Sequence, residues 1–224
     1  MSHVKSVIFD LDGTLHDRAA GLIRFAEDQF DRLGLNAVQR SGYVKRFQEL
    51  DANGMVWKDK VYSVLVDEFE LRNDISVDDL VIDYIDHFPR FAIEMVGASA
   101  MISSLRSKGI KLAILSNGKV DLQKSVIRAL GIYDHVDAIV VSEEVGFKKP
   151  DKEIFEITLD KLSVRSGEAI MVGDSYEADV VGAQTAGITP ILLGQSPANS
   201  NILSAGSLKD VMGLVLERFS NTQK

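Results

Sequence analysis

An apolar, strand-like run near the start of the chain ends in two carboxylates and a glycine turn: Val7-Ile8-Phe9-Asp10-Leu11-Asp12-Gly13-Thr14-Leu15. Residues i and i+2 of a strand point the same way, so a turn here lets Asp10 and Asp12 aim into one crevice. Like charges this close repel each other and raise one pKa unless a cation lies between them. The stretch therefore suggests a metal-assisted site with a nucleophile and an acid/base group.

Length and composition predict a soluble globular protein, with enough residues for one domain plus an insertion or a second small domain. The chain has 224 residues, 46% of them hydrophobic, and a net charge of -8. No Lys/Arg-rich block stands out, so we expect no nucleic acid polymer as partner, although a few cations can still hold a small anionic substrate. The absence of cysteine excludes disulfides and thiolate metal sites. No apolar run approaches the roughly 20 residues that span a bilayer, so we expect no membrane partner and a cytoplasmic location.

Short apolar runs alternate with helical patterns along most of the chain. The predicted strands are Val4–Phe9, Ile110–Leu115, Ala138–Val141, Ala169–Val172 and Thr189–Leu193. The predicted helices between them are Gly97–Lys108, Val120–Leu130, Asp151–Leu162 and Tyr176–Ala186. This alternation predicts an α/β fold, a Rossmann-like doubly wound parallel sheet core with helices on both faces.

The block 17–91 breaks this rhythm, because it shows helical periodicity and no convincing strand. Ser76 with Asp79 resembles a capping box before its last helix. We therefore predict an all-helical domain over residues 17–91, inserted into a core formed by residues 1–16 plus 92–224. A surface helix is expected near the C-terminus, over 208–219.

Polar residues follow two further predicted strands, where doubly wound sheets bind ligands. Ser116-Asn117-Gly118 offers a hydroxyl and backbone N–H groups that can hold a phosphate oxygen, although the same residues also suit a turn and helix cap. Gly173-Asp174 and Asp179 either cap a helix or form a second carboxylate cluster that converges on the cation of Asp10. Hard oxygen ligands without sulfur favour Mg²⁺.

A loop with two lysines, Lys148 and Lys149, precedes Pro150. Such a loop is usually solvated, but proline fixes the chain before the next helix and can direct a lysine into the crevice. A lysine is a point charge that suits phosphate binding.

Together these segments resemble the haloacid dehalogenase-like hydrolase superfamily of aspartyl-phosphate phosphatases. The matching motifs are Asp10-Leu-Asp12-Gly-Thr14, Ser116-Asn117-Gly118, Lys149-Pro150, and Gly173-Asp174 with Asp179. The phrase over residues 142–155 is typical of the phosphoglycolate-phosphatase-like branch. The resemblance covers nearly the whole chain, and it identifies the helical insertion as a cap domain that selects the substrate.

The resemblance implies a Mg²⁺-dependent phosphatase acting on a small phosphorylated metabolite. Asp10 would attack phosphorus and form an aspartyl-phosphate, and Asp12 would act as acid and then base. The residues implied in phosphate binding are Ser116, Asn117 and Lys149. The implied metal ligands are Asp10, the backbone carbonyl of Asp12, and Asp174. Asp179 would bind the ion directly, bind it through water, or hold one of its ligands by a hydrogen bond.

Substrate and assembly stay open at this stage. Candidate specificity residues are His16, Arg18, Trp57 and Lys58, each of which also reads as a solvated or packed side chain. Phosphoglycolate, nucleoside monophosphates and sugar phosphates are all compatible with the sequence, as are a monomer and a homodimer. The alternatives are a phosphosugar mutase of the β-phosphoglucomutase type, a dehalogenase, which disagrees with the carboxylate at Asp12, and a non-catalytic binding module, which disagrees with the complete motif set.

Overall fold

A parallel sheet of six strands forms the centre of the larger of two units in the computed structural model. The structure describes residues 4–34, 39–71, 75–197 and 200–220. The larger unit comprises Met1–His16 and Glu94–Lys224, and the smaller unit comprises Asp17–Ile93. Across the described part of the chain, no helix is both long enough and apolar enough to cross a membrane.

The strands run in the spatial order β3-β2-β1-β4-β5-β6, and every neighbouring pair is parallel. They are β1 Ser6–Phe9, β2 Lys111–Ser116, β3 Ala138–Val141, β4 Ala169–Gly173, β5 Thr189–Leu193 and β6 Leu203–Ala205. The predicted α/β fold class, with a doubly wound parallel sheet and a helical insertion, is confirmed. The prediction omitted β6, because three residues with one buried side chain leave no apolar run to detect.

Ten α-helices are described, four of them in the smaller unit. They are α1 Arg18–Arg32, α2 Arg40–Asp51, α3 Lys58–Glu68, α4 Val77–His87, α5 Ala98–Ser107, α6 Val120–Ala129, α7 Ser142–Val145, α8 Lys152–Leu162, α9 Gly182–Thr185 and α10 Leu208–Ser220. The helix predicted over Tyr176–Ala186 is instead a π-helical turn, Tyr176–Val181, followed by α9. The turn is wide because the Ser175 carbonyl accepts from both Asp179 and Val180.

The central strands are buried on both faces, which explains their continuous apolar sequences. On one face, Ile8 and Met171 pack with side chains of α8, including Phe155. A Cβ added to Gly182 would lie 2.6 Å from the Phe155 ring, so the glycine lets α9 approach α8. Side chains of α8 and α9 thereby cover this face of the sheet.

The order of strands places a topological switch point between β1 and β4, whose chains leave in opposite directions along the sheet. Doubly wound sheets bind ligands at this point, beyond the carboxyl ends of the strands. Asp10 directly follows β1, Asp174 directly follows β4, and Ser116 ends β2. The fold therefore brings the predicted motifs to one edge.

Aromatic side chains form the interior of the smaller unit. Phe25 of α1 contacts the rings of Phe47, Tyr84 and Phe88 edge-on, with centroids 5.3–6.3 Å apart. The predicted capping box at the start of α4 is confirmed, since Ser76 and Asp79 exchange side-chain and backbone hydrogen bonds. The unit thus has its own core.

A buried ion cluster lies within this aromatic interior. Arg18 pairs with Asp51 through two nitrogens, one at 2.9 Å, and Lys58 bonds the same carboxylate. The Lys58 ammonium lies 4.7 Å from the centroid of the Tyr84 ring, and the Arg18 guanidinium lies 5.8 Å from that of Phe88. Burial opposes the charged form of Asp51, but Arg18 and Lys58 outweigh it and lower the pKa of that carboxyl.

Removing the carboxylate of Asp51 should destabilise the smaller unit strongly, because Asp51→Ala leaves two buried cations without their anion. We expect a loss of about 3–5 kcal/mol in the free energy of unfolding. Trp57, the one tryptophan of the chain, lies in this unit, so urea unfolding followed by its fluorescence reports on it. The exposed Asp67→Ala is the matched control and should change little; equal losses in both variants would contradict the assignment.

Candidate active site

The chain turns sharply after β1, at Gly13. The φ of Gly13 is +88°, and the amides of Thr14, Leu15 and His16 all point back to the carbonyl of Leu11. The Asp10 backbone amide donates to the Val172 carbonyl of β4, which fixes the start of this turn. These hydrogen bonds fix the backbone position of Asp10 at the end of β1. Thr14 Oγ1 lies 3.4 Å from Asp10 Oδ2.

Three carboxylates from distant parts of the chain meet at the switch point. Oxygens of Asp10, Asp174 and Asp179 all lie within 4.8 Å of one another. Two glycines make this approach feasible: an added Cβ would lie 2.2 Å from Asp174 at Gly13 and 2.2 Å from Asp179 at Gly173. An all-oxygen donor set of this kind fits a hard divalent cation.

Lys149 reaches into the same cluster from the loop before α8. Its Nζ donates to Asp10 Oδ1 at 2.6 Å and to Asp179 Oδ1 at 2.7 Å, and the side chain is buried. The neighbouring Lys148 is exposed, and its backbone amide donates to Asp151. Of the two lysines, Lys149 is therefore the one placed against the carboxylates.

Asn117 holds Lys149 in place through a reciprocal pair of hydrogen bonds. Its Nδ2 donates to the Lys149 carbonyl at 2.9 Å, and its Oδ1 accepts from the Lys149 amide at 2.8 Å. The preceding Ser116 is buried at the end of β2. The structure thus brings the Ser116-Asn117-Gly118 motif beside the lysine loop, with the Asn117 side chain committed to positioning that loop.

Burial, with a further contribution from neighbouring carboxylates, raises the pKa of two acids in the cluster. Burial raises the pKa of Asp10 to about 8, with Asp179 and Asp174 adding to the rise and Lys149 opposing it. Burial would lower the pKa of Lys149, but Asp10 and Asp179 outweigh burial and raise it. Burial and Asp179 also raise the pKa of Asp174. A divalent cation would relieve this repulsion.

Asp12 points to a different set of partners. Its Oδ1 lies 2.8 Å from Nδ1 of the buried His16, and its Oδ2 accepts from Gln123 Nε2 at 3.0 Å. The Asp12 carboxylate is therefore not part of the three-carboxylate cluster. The sequence reasoning missed Gln123, since nothing in a single sequence marks a glutamine of α6 as a neighbour of residue 12.

The four candidate specificity residues fall into both units. In the larger unit, His16 is buried against Asp12. In the smaller unit, Arg18 and Lys58 bond Asp51, and the Trp57 ring packs edge-on against Tyr84 at 6.5 Å. Substrate selection by these residues stays a prediction.

Comparison with known proteins agrees with this geometry. The family described as haloacid dehalogenase-like hydrolase matches residues 7–193. The chain belongs to this family. It is 30% identical over 197 residues to a glyceraldehyde 3-phosphate phosphatase of Methanothermobacter thermautotrophicus, with 85% of each chain covered. It is 26% identical over 213 residues to a phosphoglycolate phosphatase of Rhodospirillum rubrum, covering 91% of this chain and 85% of the relative.

Among solved structures, the haloacid dehalogenase hydrolase YfnB of Bacillus subtilis, solved with magnesium bound, superimposes with a TM-score of 0.71 at 25% identity. The match covers 96% of this chain and 99% of that one. Together with the family match, it confirms the family that the sequence motifs predicted.

Divalent cation should stabilise the larger unit through the three carboxylates. We expect saturating MgCl₂ to raise the melting temperature of the wild type by about 5 °C in circular dichroism, because ligand at ~100 times its Kd adds about 2.7 kcal/mol. Asp174→Asn should lose most of this rise, yet melt no lower than the wild type in EDTA, since it removes one repelling charge. The exposed Asp160→Asn is the control, and an equal rise in all three proteins would refute the site.

Proposed function

We propose that this protein is a Mg²⁺-dependent phosphatase that hydrolyses a small phosphorylated metabolite through an aspartyl-phosphate on Asp10. The observation that carries the proposal is the meeting of Asp10, Asp174 and Asp179 with Lys149 at the switch point of the sheet. This arrangement supplies a nucleophile, a place for a cation and the positive charge of Lys149.

The enzyme class, a phosphoric monoester hydrolase of this superfamily, is confirmed by the curated relatives, which are phosphatases by name. Those two relatives are named for esters of two or three carbons, glycolate and glyceraldehyde phosphates. They support a short phosphorylated metabolite as the first substrate class to test here.

In the first step, an Asp10 oxygen attacks phosphorus while the bond from phosphorus to the leaving oxygen breaks. Asp12 gives its proton to that leaving oxygen, so the alcohol departs neutral. Lys149, held by Asn117, would shift from its carboxylate partners toward the phosphoryl oxygens and balance their charge. The Ser116 hydroxyl and the Asn117 amide would also bind the phosphoryl oxygens.

In the second step, water attacks phosphorus and the bond to the Asp10 oxygen breaks. Asp12 takes the proton of that water and returns to its protonated form, so inorganic phosphate leaves and the enzyme is regenerated. When bound, Mg²⁺ would neutralise phosphoryl charge and let an anionic nucleophile approach an anionic ester. The residues that would hold it are Asp10, Asp174, Asp179 and the Asp12 backbone carbonyl.

A phosphate-release assay tests the proposal directly. Wild-type protein should hydrolyse p-nitrophenyl phosphate with Mg²⁺ and lose activity in EDTA, and Asp10→Asn should be inactive, because its amide cannot attack phosphorus. Asp160→Asn should keep wild-type rates. A panel containing glyceraldehyde 3-phosphate, phosphoglycolate, sugar phosphates and nucleoside monophosphates then ranks kcat/KM. Full activity in Asp10→Asn, or none in the wild type, would reject the proposed function.

The two adjacent lysines should differ sharply in the same assay. Lys149→Met removes the charge that faces the phosphoryl site, and we expect turnover to fall about 10²- to 10³-fold. Lys148→Met changes an exposed side chain and should stay within about twofold of the wild type. Steady-state kinetics at saturating Mg²⁺ compare them, and the reverse order of losses would contradict the role of Lys149.

A further inference from the structure

The Asp12 carboxylate is held at both of its oxygens by side chains of the larger unit. His16 Nδ1 lies 2.8 Å from Oδ1, and Gln123 Nε2 donates to Oδ2 at 3.0 Å. We propose that His16 and Gln123 are positioning residues that fix Asp12 for its two proton transfers. The inference rests on the proposed function, and it gives both residues a role other than contact with the substrate.

Gln123 joins the turn after β1, which contains Asp12, to the Ser116-Asn117-Gly118 motif. Its amide nitrogen donates both to Asp12 Oδ2 and to the Asn117 carbonyl, the latter at 3.2 Å. Both partners are acceptors, so the amide orientation is determined by chemistry and its two N–H groups are both used. Because Gln123 is buried in the first turns of α6, its side chain has little freedom to rotate away.

Gly118 clears the path along which Gln123 reaches Asp12. A Cβ at residue 118 would lie 2.7 Å from Gln123 Nε2, and the φ of Gly118 is +149°. The Gly118 amide is itself anchored by Ser142 Oγ at 2.9 Å. The backbone of this motif is therefore shaped around the glutamine amide.

His16 is placed by the turn that begins at Gly13. The Gly13 amide donates to the His16 carbonyl, and residues 12 and 16 form a parallel bridge. On its other side His16 forms an antiparallel bridge with Glu94, which fixes its backbone. The imidazole is fully buried, so its contact with Asp12 is held by the surrounding chain.

These two contacts restrict rotation of the Asp12 side chain, and they leave lone-pair sites on both carboxylate oxygens for proton transfer. Each carboxylate oxygen has two lone-pair sites, and each is engaged by one of these partners. The Asp12 side chain keeps 24% of its surface exposed, in contrast to the buried His16. Asp12 is thus held in one rotamer with an open side, as an acid that must meet a leaving oxygen requires.

The choice of leaving group can separate positioning of Asp12 from general damage. A p-nitrophenolate ion leaves without a proton, so the attack by Asp10 on p-nitrophenyl phosphate does not need Asp12 as acid. Hydrolysis of the aspartyl-phosphate still needs Asp12 to take the proton of water. An alkyl phosphate needs Asp12 in both steps.

The variants are Gln123→Met and His16→Leu, with His16→Asn as the conservative form that keeps a donor near the Nδ1 position. Exposed controls of the same type are Gln184→Met and His135→Leu. We expect kcat of the first two to fall about 10- to 100-fold, because both side chains act through Asp12. On p-nitrophenyl phosphate KM should fall together with kcat, since slow hydrolysis of the aspartyl-phosphate then limits turnover. With p-nitrophenyl phosphate they should release one equivalent of nitrophenolate in a burst, and acid-quenched protein should carry a phosphoryl group by intact mass.

With the alkyl phosphate that the wild type hydrolyses fastest, the same variants should show no burst. His16→Asn should recover most of the rate lost in His16→Leu, and the melting-temperature rise with MgCl₂ should match the wild type. Equal losses on both esters without phosphorylated protein, or rates equal to the controls, would overturn the inference. A wild type that releases no phosphate from any ester would instead reject the proposed function.

Discussion

Repulsion among three carboxylates is the constraint around which the larger unit is built. Asp10, Asp174 and Asp179 are brought within 4.8 Å of one another, and Lys149 compensates part of their charge. In water such a group would separate, so the rest of the fold must hold it together. The parallel sheet does so, because β1 and β4 are hydrogen-bonded neighbours whose ends cannot move apart.

Backbone geometry carries as much of the site as the charged side chains do. Gly13 and Gly173 leave room where a Cβ would collide with Asp174 and Asp179. The π-helical turn that follows Ser175 points Asp179 inward rather than to solvent. The side-chain amide of Asn117 forms two hydrogen bonds with the backbone of Lys149. Each of these features fixes the position of a charged side chain, and a preorganised site requires this before any substrate binds.

The sequence predicts those parts of the site that follow from local pattern. Asp10, Ser116 and Asp174 end apolar runs, and parallel strands align such ends at one edge. Contacts between side chains far apart in sequence carry no such signal: Gln123 meets Asp12 across 111 positions. Arg18 and Lys58 show the same limit, because no pattern indicates that Asp51 draws both into the interior. The strand β6 escaped detection for a different reason, its short length.

The charged clusters of the two units carry excess charge of opposite sign. In the smaller unit two cations share Asp51, and their excess positive charge lies against the faces of Tyr84 and Phe88, which attract cations. Aromatic faces repel anions, so the excess negative charge of the larger unit has no comparable remedy within its carboxylate cluster. A cation from solution can supply it. The sign of the excess, rather than the number of charged residues, therefore distinguishes the cluster whose oxygen donors fit a divalent cation.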